Sequence, residues 1–180
     1  MRNRYKDDYR ETYRLNGRGQ RVREYEYVGR FYVLPFDGEQ KRKTARVNFL
    51  YAAGLTAVQV AAGMLNPDSS RTFWIVYPYL FLYLPLFYAF FGVYAYAQAP
   101  VRMQSAQYHN GLMRIRRSFM GVLVLSAVNI AADIVYMALY HDSIRLGTEL
   151  VYCLMFVILI AGVVCYGRFY DRTYVGITAE

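Results

Sequence analysis

The sequence predicts an all-α membrane protein in which four transmembrane helices form a bundle, preceded by a short polar arm. One observation is that the chain holds four long apolar runs, each sufficient to cross a bilayer as a helix. A second is that the charged residues lie almost entirely between these runs. Hydrocarbon offers no hydrogen-bonding partners, so a spanning helix keeps its charges at its ends. A third observation, an internal repeat, divides the four helices into two parallel helical hairpins.

The polar arm is rich in tyrosine and arginine. Alternating polar and apolar residues beside an Asn-Gly turn signal predict a β-hairpin that pairs residues 9–15 with residues 20–27. For the first of these segments a short helix is an alternative, because Tyr5, Tyr9 and Tyr13 recur at every fourth position.

Tyrosine rings and arginine side chains suit the headgroup region of a membrane. Two interpretations of the arm follow. It packs against the middle loop or lies on anionic lipid, or it docks a partner protein. The residues expected to contact lipid or a partner are Arg21, Arg23, Tyr25, Tyr27, Arg114, Arg116 and Arg117.

The chain divides into an arm, a bundle and a tail, which are residues 1–46, 47–168 and 169–180. The predicted spans are residues 47–65, 72–97, 118–140 and 150–167. The second span is dense in aromatic residues and holds Pro78 and Pro85, which lie nearly on one helical face. Each proline removes a helix hydrogen bond. The prediction is either a kink that opens a pocket or a bent helix whose aromatic belts face lipid.

The charge of the connections predicts the orientation. The arm carries 13 basic and 7 acidic residues, and the connection between spans two and three carries four arginines and no acid. The other two connections have net charges of zero and −1. Positive segments stay in the cytoplasm. The sequence therefore predicts a multi-pass protein of the cell membrane with both termini in the cytoplasm.

Aligning the chain to itself with an offset of seventy reveals the repeat. LTAVQVAAGML, from Leu55, matches LSAVNIAADIV, from Leu125. Both hairpins start on the same side, so the repeat is parallel, and spans one and three should face each other across an axis along the membrane normal. Small residues at four-residue spacing predict close helix contact, and these are Ala53, Ala57, Ala61, Ala127 and Ala131.

The repeat also aligns a polar stripe. Thr56, Gln59 and Gly63 share one face of span one, and their counterparts in span three are Ser126, Asn129 and Asp133. Asp133 is the only acid in the predicted spans, and no basic residue lies beside it within them. A carboxylate at that depth costs several kcal/mol unless it is paired, hydrated or protonated. The stripe is either an ion, proton or substrate site or a set of hydrogen bonds that join helices.

Several function classes are not expected. The net charge of +8 is explained by basic residues that flank spans, so we expect no nucleic-acid partner. Motifs of metalloproteases, nucleotide-binding loops and serine hydrolases are absent from the sequence, and we expect no cofactor and no metal. The function expected is that of a small, non-enzymatic structural or accessory subunit that contacts membrane lipid, a membrane-protein partner or its own copies. The alternative is a small oligomeric transporter or channel that uses the polar stripe.

Overall fold

The structure, a computed structural model, describes residues 5–15, 17, 21–140 and 142–180. Within these residues, four helical stretches are long and apolar enough to cross a membrane. They are Gly38–Met64, Phe73–Gln98, Ser105–Tyr140 and Leu146–Thr173. The prediction of a multi-pass helical protein is confirmed at this level.

The helices extend beyond the apolar runs that predicted them. Helix α1 (Gly38–Met64) starts nine residues before the first run. It starts there because the Asp37 carboxylate accepts a hydrogen bond from the backbone N–H of Gln40 at 2.9 Å, which caps the helix. Charged turns are stable outside hydrocarbon, so an apolar run gives the length of a span and not that of the helix.

The second stretch is broken into α2 (Phe73–Phe81) and α3 (Tyr83–Gln98). Pro85 has no N–H to donate to the carbonyl of Phe81, so the α-helical ladder is interrupted where the two helices meet. Large aromatic side chains cover the outside of both helices, namely Phe73, Tyr77, Phe81, Phe87, Tyr88, Phe91 and Tyr94. The second stretch is thus an interrupted helix with an aromatic outer face, and the choice between a bend and a kink that opens a pocket stays a prediction.

The helices form a ring in which α1 packs against α3 and α6 (Leu146–Thr173). Helix α5 (Arg114–Tyr140) packs against α2, α3 and α6. Helices α1 and α5 therefore lie diagonally across the bundle. This placement is the one expected for spans one and three, while the duplication itself stays a prediction.

The expected contact through small residues is wrong. Ala57, Ala127 and Ala131 are exposed, and Ala53 and Ala61 are only half-buried. The bundle interior is lined instead by the neighbouring faces, with larger side chains such as Leu55, Phe119 and Val122. Spacing alone cannot choose between helix faces when every face is apolar.

Close helix approach occurs at two glycines on α3 and on the segment before α5. Helix α4 (Ser105–Tyr108) continues through a π-helical turn (His109–Met113) into α5. A Cβ on Gly92 would lie 2.8 Å from Ile115 Cγ1 and 3.1 Å from the Ile115 backbone nitrogen, and one on Gly111 would lie 3.2 Å from Tyr96 Cα. The backbones touch here because neither glycine carries a side chain.

One end of the bundle carries a cap made of two small sheets. The first is an antiparallel hairpin of β1 (Tyr9–Leu15) and β2 (Arg21–Tyr27). The expected hairpin is confirmed, and β1 replaces the alternative helix. In the second sheet, β3 (Phe31–Val33) lies between β4 (Arg102–Gln104) and β5 (Thr178–Ala179). The arm, the middle connection and the tail therefore meet at one end, which we call the cap end.

Buried polar contacts hold the tail to the helices below the cap. The Thr44 and Tyr96 hydroxyls lie 2.8 Å apart, and the Asn48 amide donates to the Tyr174 hydroxyl at 3.1 Å. Tyr174 directly follows α6, so these contacts join α1, α3 and the start of the tail. They fix the cap against the bundle.

The close approach of α3 and the segment before α5 at Gly92 and Gly111, which we call the glycine crossing, generates a stability prediction. Gly92→Ala should lower the free energy of unfolding by about 1–3 kcal/mol, because the added methyl meets backbone atoms that cannot rotate away. Gly54→Ala is the matched control, since a Cβ there has nothing within 4 Å. Both variants are compared by denaturant unfolding in detergent micelles, and equal stability of the two would contradict the crossing.

Candidate functional site

The polar stripe is buried, with one exception. Gln59, Ser126, Asn129 and Asp133 have no exposed surface. Thr56 is half-buried, and its hydroxyl donates to the carbonyl of Ala52 in its own helix at 2.8 Å. Thr56 therefore does not contribute a free polar group to the interior.

Hydrogen bonds orient both buried amides. The Gln59 amide nitrogen donates to the Tyr79 carbonyl at 3.0 Å, and the Asn129 amide nitrogen donates to the Leu125 carbonyl at 2.9 Å. A carbonyl only accepts, so these contacts fix the nitrogen end of each amide. Within the stripe, the buried side-chain oxygens left without a partner are Gln59 Oε1, Asn129 Oδ1, Ser126 Oγ and Asp133 Oδ1. The described interior thus holds acceptor atoms in need of a donor.

The two halves of the stripe do not bond to each other in the described residues. Gln59 is locked to span two, because the Tyr79 hydroxyl also donates to the Gln59 carbonyl at 3.2 Å. Gly63, the counterpart of Asp133, leaves the space that the Tyr79 hydroxyl occupies. The first half is therefore tied to α2 through Gln59 and Tyr79, although Gln59 Oε1 has no partner, and the acid belongs to the second half alone.

A second buried acid accompanies Asp133, at a position just before the predicted fourth span. Glu149 has no exposed surface and lies in the first turn of α6. Its carboxylate accepts from the Ser69 backbone N–H at 3.0 Å and from the Ser69 hydroxyl at 2.7 Å. Asp133 accepts from the Cys153 thiol at 3.0 Å and interacts electrostatically with Glu149. We call Asp133 and Glu149 the acid pair.

The apolar pattern does not predict Glu149 as an interior residue, because Glu149 precedes the fourth apolar run and belongs by that pattern to a connection. Two features that the hydropathy does not contain bury it. Helix α6 starts at Leu146, four residues before the run, and a 3₁₀ turn (Asp68–Arg71) folds over the helix end. A negative residue suits the first turn of a helix, and this is the signal that could have marked it.

The connections at this end, opposite the cap, are also tied together. The Arg145 backbone N–H and guanidinium donate to the Asp68 carboxylate at 3.0 and 3.3 Å. These bonds hold the pKa of the Asp68 carboxyl below its ordinary value. They close the two connections over the acid pair.

The chemistry open to the acid pair follows from its surroundings. No ion pair among the described residues reaches Asp133 or Glu149. Within the same residues, no group of three metal-binding side chains occurs. Two buried carboxyls without a basic partner are suited to share a proton or to bind ordered water or a small cation.

The arginines expected at the other end of α5 separate into different environments. Arg114 lies over the Tyr88 ring at 4.9 Å and donates to Asn110 at 2.8 Å. Arg116 lies over the Tyr170 ring of α6 at 5.1 Å. Arg117 is exposed and makes no hydrogen bond in the described part of the chain. The three side chains therefore do not form one cluster.

The tyrosines and arginines of the hairpin are distributed between its tip and its base. Arg21, Arg23 and Tyr25 are exposed, and the Tyr25 hydroxyl donates to Glu11 at 3.2 Å. Tyr27 is half-buried at the base, where its hydroxyl donates to the Arg30 carbonyl at 2.8 Å. Tyr27 thus supports the hairpin, while the other three are available for contact.

The buried carboxylate generates a second stability prediction. Glu149→Ala leaves the Ser69 N–H and hydroxyl without their acceptor and should cost about 2 kcal/mol or more of unfolding free energy. Glu39→Ala removes an exposed carboxylate paired with Lys43 at 2.8 Å and should cost only about 0.3–0.5 kcal/mol. Thermal unfolding in detergent distinguishes them, and a Glu149→Ala protein as stable as Glu39→Ala would contradict the buried contact.

Comparison of the chain with family models, curated proteins and solved structures finds no match. A function for the chain therefore has to be inferred from the geometry of its own residues.

Proposed function

We propose that this chain is a small, non-enzymatic integral membrane protein that serves as a structural or accessory subunit. Its cap contacts lipid headgroups or a partner protein on the cytoplasmic side. The observation that supports this proposal most directly is the hairpin β1–β2, which presents exposed aromatic and basic side chains at the cap end.

The hairpin has one aromatic face. In its antiparallel register Tyr13 lies opposite Arg23, and Glu11 lies opposite Tyr25. Paired residues in a sheet point to the same side, so these four side chains share a face. Tyr13 and Tyr25 are 62% and 58% exposed. Exposed tyrosine and arginine side chains are enriched where proteins bind other proteins and where they meet headgroups.

The base of the hairpin is held while this face is free. The Tyr9 hydroxyl donates to Gln104 at 3.0 Å, and the Tyr27 ring packs edge-on against Phe31 with centroids 4.9 Å apart. A rigid base lowers the entropy that a contact at the face would cost. This arrangement favours a presented binding element over an arm that folds onto its own bundle.

The proposal predicts that the aromatic face carries the contact. Tyr13→Ser with Tyr25→Ser should reduce recovery of a cross-linked partner from native membranes by about tenfold or more, as loss of two anchor residues does. If the contact is with lipid, residues 9–27 of the unmodified chain should exchange amide hydrogens more slowly in phosphatidylglycerol nanodiscs than in phosphatidylcholine nanodiscs. The double variant should lose this difference.

The matched control uses the opposite face of the same hairpin. Arg10→Gln with Arg14→Gln removes two positive charges from the other side of β1 and should leave both readouts unchanged. If both double variants lose recovery and protection equally, the contact is not made by the aromatic face. If neither loses any, the hairpin is not the contacting element.

One observation favours a second function, that of a small oligomeric transporter or channel. The acid pair and the unpartnered oxygens of Gln59, Ser126 and Asn129 supply the oxygen ligands that protons, water and small cations use. The acid pair lies at the end opposite the cap, so an ion would enter from that end.

The transport function predicts a flux that depends on Asp133. Asp133→Asn should abolish proton or sodium uptake into proteoliposomes, while Asp68→Asn, an acid of the exposed connection, should retain it. A protein without any flux, or an equal flux in the Asp133→Asn variant, would exclude transport through the acid pair.

A further inference from the structure

A cavity of about 410 Å³ opens at the cap end between α3 and α5, away from the acid pair. Its apolar lining, which we call the floor, consists of Leu84, Pro85 and the Tyr88 ring, and the Leu84 and Tyr88 side chains are themselves exposed on the outer surface of α3. Its rim carries Arg114 and Arg117. In the sequence, Arg117 is the last basic residue of the middle connection, and the third apolar run starts at Ser118. The cavity therefore spans the change from charged to apolar surface.

The rim is positive and uncompensated. None of the described residues that line the cavity is acidic, and the middle connection contains no acid in its sequence. Arg114 is held in place by Asn110 and by the Tyr88 ring, while Arg117 makes no hydrogen bond among the described residues. His109 faces the Ser105 carbonyl through Nδ1 at 2.8 Å, which leaves Nε2 of the same ring without a bond there. The rim is thus prearranged for an anion.

A buried hydroxyl in the wall independently indicates a ligand. Ser118 lines the cavity and is only 5% exposed, yet its hydroxyl oxygen has no hydrogen-bond partner. A buried hydroxyl without a partner costs free energy. The oxygen itself is almost fully covered, and a rotation of the Ser118 side chain toward the cavity would let an oxygen of a bound anion accept its proton.

We propose that this cavity binds the phosphate of an anionic phospholipid, with Arg114 and Arg117 as the charged contacts, Ser118 as a hydrogen-bond donor and the apolar floor against the first part of an acyl chain. The inference rests on the proposed function, because it names the lipid class that the cap end would recognise. The inference assigns anionic lipid to a defined site on the chain, and not only to a general electrostatic attraction between the basic cap end and an anionic membrane.

The combination of surfaces selects lipid over free phosphate. Arginine binds phosphate through paired N–H donors, and this would serve either ligand. A free phosphate, however, would leave the floor of Leu84, Pro85 and Tyr88 unused. A phospholipid buries that apolar surface as well.

The test is a lipid titration of the full chain in mild detergent, with bound lipid counted by native mass spectrometry. Phosphatidylglycerol should bind more tightly than phosphatidylcholine. Arg114→Gln with Arg117→Gln should weaken phosphatidylglycerol binding by about 30-fold, as expected for two arginines near a lipid phosphate. Ser118→Ala should weaken it by about threefold or more.

Arg116→Gln is the matched control. It removes the same charge from the same turn of α5, but Arg116 lies over the Tyr170 ring and does not line the cavity. Its phosphatidylglycerol affinity should stay within about twofold of the unmodified chain. Arg117→Gln alone breaks no hydrogen bond of the described residues, so this variant should fold normally. If the double variant loses helix content, the lipid affinity of Arg117→Gln is compared with that of Arg116→Gln instead.

Three results would overturn the proposal. These are equal binding of phosphatidylglycerol and phosphatidylcholine, an equal loss in the Arg116→Gln variant, and displacement of phosphatidylglycerol by equimolar soluble glycerol phosphate. The Tyr13→Ser, Tyr25→Ser double variant should bind phosphatidylglycerol normally here. If phosphatidylglycerol binds to the cavity as expected but the Tyr13→Ser, Tyr25→Ser variant changes neither partner recovery nor hydrogen exchange, the proposed hairpin contact is rejected. The cavity assignment then still stands.

Discussion

The constraint on which the rest of the structure depends is that hydrocarbon cannot hydrogen-bond. It forces each spanning segment into a helix, and the polar side chains of the stripe into the interior, where Gln59, Asn129 and Asp133 have no exposed surface. It also explains why so many large apolar side chains face outward. Inside a bilayer, an outward Phe or Leu costs nothing, and helix contacts come from shape. The glycine crossing of α3 with the start of α5 is such a contact.

The cap is built differently from the bundle. The segments that connect the helix ends lie outside the apolar runs, where strands and polar contacts are stable. A single three-stranded sheet joins the arm, the middle connection and the tail through β3. Buried hydroxyl contacts at Thr44, Tyr96 and Tyr174 continue the connection into the bundle. The same cap leaves both faces of its hairpin exposed, and one of them carries the tyrosines. Structural support and surface presentation are therefore divided between two sheets of the cap.

Helix α5 links the two candidate sites. Its cap end carries Arg114 and Arg117 beside the cavity, and its buried face leads through Ser118, Ser126 and Asn129 to Asp133. The oxygen atoms of this face that lack partners lie on one helix. Arginine side chains occupy one end of α5, and Asp133 lies toward the other end. The lipid-binding proposal uses the basic end of α5, and the transport proposal uses the acid toward its other end.

The sequence by itself determined the number of spans, the hairpin and the buried stripe, since hydropathy and two-residue alternation depend only on local composition. It also identified Asp133 as a candidate site residue, because an acidic residue within an apolar run can be recognised without knowing the fold. Only the tertiary structure decided which helix faces meet, that Glu149 joins Asp133, and that Arg116 separates from Arg114 and Arg117. Each of these depends on how helices rotate and where they end, and such choices are made by packing between segments distant in sequence.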